Sequence, residues 1–133
     1  MKIGIDLHGV IESFPEVFKP LMILARKRGC EIVVITGPPI DQANEELNNA
    51  GYAVDVHFDS VISVVDWLKK RGAEMTKDDN GNWWTTDVLW WQSKSLICVR
   101  ENIDVMIDDS PEYGEYFEFA DTKFVLIDKP AGS

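Results

Sequence analysis

The stretch Glu31-Ile32-Val33-Val34-Ile35-Thr36-Gly37 decides how the rest of the chain is read. Its apolar β-branched residues are continuous, not alternating, which marks a strand covered on both faces. Thr36-Gly37-Pro38-Pro39 stops the strand and starts a helix from about Asp41 to Ala50, because proline is well tolerated in a first helical turn. Toward the N-terminus, a helical pattern carrying Phe14, Val17, Phe18, Leu21, Ile23 and Leu24 runs to about Arg28 and closes at Gly29, and Met1 to Ile5 is a short β-type run ending at Asp6. Toward the C-terminus, Gly51 breaks the second helix and Ala53 to Phe58 reads as a third strand. Asp59 or Ser60 then caps a helix with Val61, Val64, Val65 and Leu68 on one side, ending near Gly72. Between Glu74 and Thr86, the sequence Asp79-Asn80-Gly81-Asn82 lies among β-prone residues and predicts a small hairpin or flap. Val88 to about Arg100 fits a helix, and Ile103 to Ile107 a fourth buried strand. Asp108-Asp109-Ser110-Pro111 is a strand-to-helix turn, followed by a short helix over Glu112 to Phe119 and a last strand over Lys123 to Ile127. The alternation predicts an α/β fold: a parallel sheet with helices on both faces and right-handed crossovers.

With 133 residues, 45% of them hydrophobic, the chain suits a single domain spanning residues 1–133 with one real core. A net charge of −10 and a pI near 4.5 argue against non-specific binding to a nucleic-acid backbone, whose affinity comes largely from Lys and Arg. A phosphorylated substrate must instead meet a local positive centre. The apolar runs are far shorter than the roughly 20 residues that cross a bilayer. The opening residues already contain Asp6 and do not read as a secretory signal, so the expectation is a cytoplasmic protein with no membrane partner. Cys30 and Cys98 lack metal-binding spacing and read as buried free thiols.

Ligands of such sheets sit beyond the carboxyl ends of the strands. Asp6 ends the first strand, Thr36 the second and Asp108-Asp109 the fourth, so residues far apart in sequence are expected to converge at one edge. Carboxylates gathered at one spot repel each other unless a cation or raised pKa values relieve the charge. An all-oxygen ligand set of this kind suits Mg²⁺, which in turn lets an acidic protein accept a phosphate. Thr36 offers a hydroxyl to a phosphate oxygen and Gly37 a backbone N–H at a helix start.

These residues resemble a known family. Ile3-Gly4-Ile5-Asp6-Leu7-His8-Gly9-Val10 is similar to the first motif of the haloacid dehalogenase superfamily, an apolar strand followed by Asp-x-Asp-Gly-Val or Asp-x-Asp-Gly-Thr. Val33-Val34-Ile35-Thr36-Gly37 resembles its second motif, Lys94 is a candidate for its third, and Val105-Met106-Ile107-Asp108-Asp109 resembles its fourth, in matching order over about residues 1–128. The resemblance implies a Rossmann-like three-layer fold with sheet order 5-4-1-2-3. It also implies a Mg²⁺-dependent phosphatase in which Asp6 attacks phosphorus to form an aspartyl phosphate. The metal would be held by Asp6, the backbone carbonyl of His8 and the motif-four carboxylates, with Asp109 the direct ligand and Asp108 its supporting partner. Lys94 would balance charge and bind phosphate. Where the family's phosphatases carry a second Asp as general acid and base, this sequence has His8. Histidine can exchange protons near neutral pH, but its ring is bulkier and its cation would sit near the metal.

Two further readings accompany this one. A catalytically weak or inactive descendant of the fold, binding a metal or phosphorylated ligand, is the alternative to a phosphatase. A phosphorylation-receiver domain shares the Asp, Thr and Lys-Pro inventory but in the wrong order. The stretch between Gly9 and Glu31 is too short for an inserted cap domain, so the site is expected to be open, accepting a small phosphorylated substrate or an accessible phosphate end. Trp67, Trp83, Trp84, Trp90 and Trp91 read first as core or flap packing and second as a stacking surface. His57, expected on the third strand, reads as structural, and Lys129-Pro130 as a solvated tail.

Overall fold

The computed structural model describes residues 1–128; the Lys129-Pro130 tail lies outside them. Five parallel strands form one sheet: β1 (Lys2–Ile5), β2 (Glu31–Thr36), β3 (Ser60–Ser63), β6 (Val105–Asp108) and β7 (Lys123–Leu126), in the spatial order β3-β2-β1-β6-β7. Counting these strands alone, that is 5-4-1-2-3 read from the β7 edge. A separate antiparallel pair, β4 (Thr76–Lys77) and β5 (Trp83–Trp84), is the flap the sequence predicts. The helices are α1 (Pro15–Lys27), α2 (Ile40–Asn49), α3 (Val64–Lys70), α4 (Asp87–Arg100) and α5 (Pro111–Gly114).

The continuous apolar run of β2 explains the three layers. Alternate residues of a strand point to opposite faces. Ile32 and Val34 therefore pack with Phe18 and Met22 of α1 and Leu47 of α2, while Val33 and Ile35 pack with Leu68 of α3, Ile97 and Cys98 of α4 and Tyr113 of α5. Both sides of the strand are buried, and its neighbours β1 and β3 occupy both of its edges. Gly29 closes α1 with φ of +90°, a backbone conformation in which glycine is at home.

The third strand departs from expectation. Residues 53–58 form a turn in which Asp55 takes φ of +64° and only Val54 and Phe58 touch in an isolated bridge, while Val54 and Val56 are exposed. The strand begins instead at Ser60. Asp59 sets that start: one carboxylate oxygen accepts the Ile32 N–H at 2.8 Å, and the other pairs with Arg26 at 2.7 Å, anchoring the chain beside the beginning of β2. These contacts hold the Asp59 carboxyl below its ordinary range, the Arg26 hydrogen bond being the largest cause. The following helix starts at Val64, not near Ser60, because Ser63 caps it by accepting the Asp66 N–H at 3.0 Å. His57 thus lies in the turn, where its Nδ1 accepts the Ala53 N–H at 3.0 Å and burial pulls its pKa down. No helix among the described residues is long and apolar enough to cross a membrane.

Candidate functional site

Strand register brings the candidate residues to one edge. Ile5 of β1 pairs with Val34 of β2 and with Ile107 of β6, so Asp6 and Asp108 each lie one residue further along adjacent parallel strands. The Asp6 N–H still donates to the Ile107 carbonyl at 2.9 Å, which fixes the height of Asp6 against β6. After Asp6 the chain makes a wide turn over residues 7–11, anchored by the fully buried Leu7, Val10 and Ile11. Gly9 is required in that turn. Its φ is +74°, and a Cβ there would fall 1.9 Å from Oδ2 of Asp109, so the missing side chain lets the loop close on that carboxylate.

Oxygens of Asp6, Asp108 and Asp109 lie within 4.8 Å of one another, a grouping that can hold a metal ion. Lys94 enters it from α4. Its position three and four residues before Ile97 and Cys98 places it on the buried face of that helix. The side chain is 2% exposed and its Nζ lies 2.5 Å from Asp108 and 3.2 Å from Oδ1 of Asp6, while also covering the Tyr113 ring at 4.5 Å. Asp108 is fully buried and held from both sides, since its other oxygen accepts the Ser110 N–H at 3.0 Å. Oδ1 of Asp6 also accepts the Leu7 N–H at 2.9 Å.

Carboxylates this close together in a poorly hydrated place resist ionisation, and Asp6 shows it. Burial pushes the Asp6 carboxyl up to about 7; Lys94 pulls it down, and Asp108 and Asp109 push it up. Burial opposes the charge on Lys94, but Asp6 and Asp108 outweigh it and hold the ammonium above its ordinary value. Burial raises the neighbouring Tyr113 hydroxyl and Cys98 thiol to about 12, so neither ionises near neutrality.

Thr36, at the end of β2, is fully buried and its hydroxyl has no hydrogen-bond partner among the described residues. An unpaired buried hydroxyl costs about 1–3 kcal/mol, a reason to expect a ligand oxygen beside it. Gly37 and His8 line one cleft of about 300 Å³ with the tryptophan flap. The His8 ring is turned toward α2, its Nε2 2.7 Å from Oε2 of Glu46, whose Oε1 accepts from Gln42 at 3.0 Å. With Nε2–H donating to Glu46, the neutral ring keeps its lone pair on Nδ1.

Comparison with known proteins adds little. No protein-family model matches the chain, and no curated protein matches it. Among solved structures it is similar to the "Structure of MT0777", at 12% identity and a TM-score of 0.42, over 96% of this chain and 85% of that one. A likeness at that level carries no argument about function.

The structure thus gathers Asp6, Lys94, Asp108 and Asp109, and sets Thr36 at the end of a strand neighbouring Asp6. Sequence reasoning missed Glu46 and Gln42. Their spacing of four residues marks one helix face, but nothing in the sequence says that His8 meets it. It also passed over Tyr113 beneath Lys94.

Proposed function

We propose that the chain is a Mg²⁺-dependent phosphohydrolase of the haloacid dehalogenase type, cleaving a phosphomonoester through an aspartyl phosphate on Asp6. The observation that carries this reading is the bridge of buried Lys94 between Asp6 and Asp108, with Asp109 beside them. A buried ammonium needs counter-charge, and here carboxylates from two neighbouring strand ends supply it at the carboxyl edge, where sheets of this kind bind their ligands. The all-oxygen donor set suits a hard divalent cation. Asp6, Asp109 and the His8 backbone carbonyl would hold Mg²⁺, with Asp108 engaged by Lys94 and Ser110 in support. When bound, the metal supplies charge neutralisation for the phosphoryl oxygens.

This chain's residues then divide the work. One Asp6 oxygen attacks phosphorus as the ester P–O bond breaks, and the departing alkoxide takes a proton from the His8 imidazolium at Nδ1. Neutral His8 next removes a proton from water, the water oxygen attacks phosphorus, the bond to Asp6 breaks, and phosphate leaves. Lys94 and the Thr36 hydroxyl face the phosphoryl oxygens, and Gly37 presents its N–H. Glu46 holds the His8 ring through the contact at Nε2.

The test is phosphate release with added Mg²⁺ over nucleotides, sugar phosphates and phosphorylated ends, for the parent, Asp6→Asn, His8→Ala and His8→Asp. Expected are turnover lost in Asp6→Asn and in EDTA, and a decrease of roughly 10²- to 10⁴-fold in His8→Ala. Turnover by Asp6→Asn at the parent rate rules out the nucleophile. A parent inert to every ester but revived by His8→Asp favours the non-catalytic descendant, to which the His8 replacement points.

A further inference from the structure

The cleft that shares His8 and Gly37 with the phosphate edge is walled by indoles, and its chemistry is unlike the rest of the surface. The chain carries 23 acidic residues, yet no carboxylate lines this cleft among the described residues. Its walls are Trp83, Trp84, Trp90, Pro38 and Pro39, with the side-chain amides of Gln42 and Asn82 as polar groups. Trp90 lies against the turn after β2, so close that a Cβ on Gly37 would meet its ring at 3.4 Å. Trp84 stands 5.9 Å from Trp90 between ring centroids, the planes inclined by 41°.

The flap rings are held in place without being buried. Trp84 is 47% exposed, yet its Nε1–H donates to Asp78 at 2.7 Å, and the same carboxylate accepts the backbone N–H groups of Asn80 and Asn82 at 2.9 Å. Lys69 sits 3.5 Å from the centre of the Trp83 ring. Trp83 and Trp84 lie outside both core clusters, whereas Trp67, Trp90 and Trp91 pack against one of them. Core packing therefore accounts for three tryptophans and leaves unexplained the flap pair, half-buried Trp83 and exposed Trp84, which polar anchors hold. Pre-set aromatic faces lose little freedom when a flat ligand stacks on them.

Resting on the phosphohydrolase reading above, we propose that this cleft binds the heterocyclic ring of a nucleoside monophosphate whose phosphate lies at the Asp6 edge. A flat, uncharged ring with donors and acceptors on its rim matches indole and proline walls with two amides, because amide side chains pair with base edges. A sugar alone offers the indoles only a small C–H face and carries a rim of hydroxyls for which two amides are few partners. A polynucleotide is disfavoured by the net charge of −10, whereas one phosphate needs only the local positive centre.

Calorimetric titration in Mg²⁺ tests this with AMP, UMP, ribose 5-phosphate and inorganic phosphate. Asp6→Asn blocks turnover during the titration. The parent is assayed separately for phosphate release from the same esters. Base stacking predicts that the nucleotides bind roughly 5- to 150-fold more tightly than ribose 5-phosphate. Adding Trp84→Ala should remove most of that preference and leave inorganic phosphate binding unchanged. Equal affinity for AMP and ribose 5-phosphate, or a preference untouched by Trp84→Ala, overturns the proposal. Equal turnover of ribose 5-phosphate and nucleotides overturns it while sparing the hydrolase reading. Base-dependent binding without phosphate release from any ester does the reverse.

Discussion

Replacing Asp6 by Asn should make the metal-free protein more stable above neutral pH. Asp6 is 7% exposed, and burial pushes its carboxyl from 3.8 to about 7 despite the pull of Lys94. The sign follows from which state ionises first. Below 3.8 the carboxyl is protonated in both folded and unfolded chains and carries no penalty. Between 3.8 and about 7 the unfolded chain ionises and the folded one resists, so stability falls; above about 7 the full penalty stands. A difference of this size sets a ceiling of about 4 kcal/mol. Asn has nearly the same shape and no charge to bury. It gives up the 3.2 Å contact with Lys94, which keeps Asp108 at 2.5 Å. The expected net gain at pH 8.5 is therefore about 1–3 kcal/mol, shrinking toward zero as the pH approaches 4. Urea unfolding in EDTA across that range measures it. Mg²⁺ should oppose that gain, adding about 2.7 kcal/mol to the parent at a hundred times its Kd and less to the variant. An Asn variant less stable than the parent at pH 8.5 in EDTA, or one whose gain does not change with pH, would refute the electrostatic account.

Two other substitutions probe the same edge. Lys94→Met leaves Asp6 and Asp108 facing each other without their shared cation, and should lower unfolding stability by about 3–5 kcal/mol at pH 8; a loss under about 1 kcal/mol would show that the buried bridge contributes little. Glu46→Gln keeps the side-chain volume but weakens the hold on His8, so kcat should fall roughly 10-fold with KM nearly unchanged. In a His8→Asp background the same change should be silent; an equal loss in both backgrounds would mean that Glu46 acts through something other than His8.

Much of the fold is written in short stretches. The unbroken apolar run of residues 32–35 encodes a two-faced strand because coverage on both sides leaves no place for polar alternation. Asp6 and Asp108 were legible as site candidates for a related reason: a carboxylate at the very end of a buried strand, or just past it, comes out at the sheet's edge. The buried direction of Lys94 was present as well, in its spacing from Ile97 and Cys98. By contrast, residues 53–58 have strand-like composition and form a turn, because Asp59, held by Arg26 and the Ile32 N–H, sets where β3 can begin.

By itself, then, the sequence determined the alternation of strands and helices and the carboxyl-edge positions of Asp6, Thr36, Asp108 and Asp109, since both depend on residue periodicity and on where each apolar run stops. Tertiary structure alone decided that Glu46 meets His8, that Lys94 spans Asp6 and Asp108, and that the flap's Trp83 and Trp84 close a cleft with Trp90 over Gly37. Each of these contacts joins residues on different elements. Such pairings follow from how layers pack and strands register, and no local pattern of residue types carries that information.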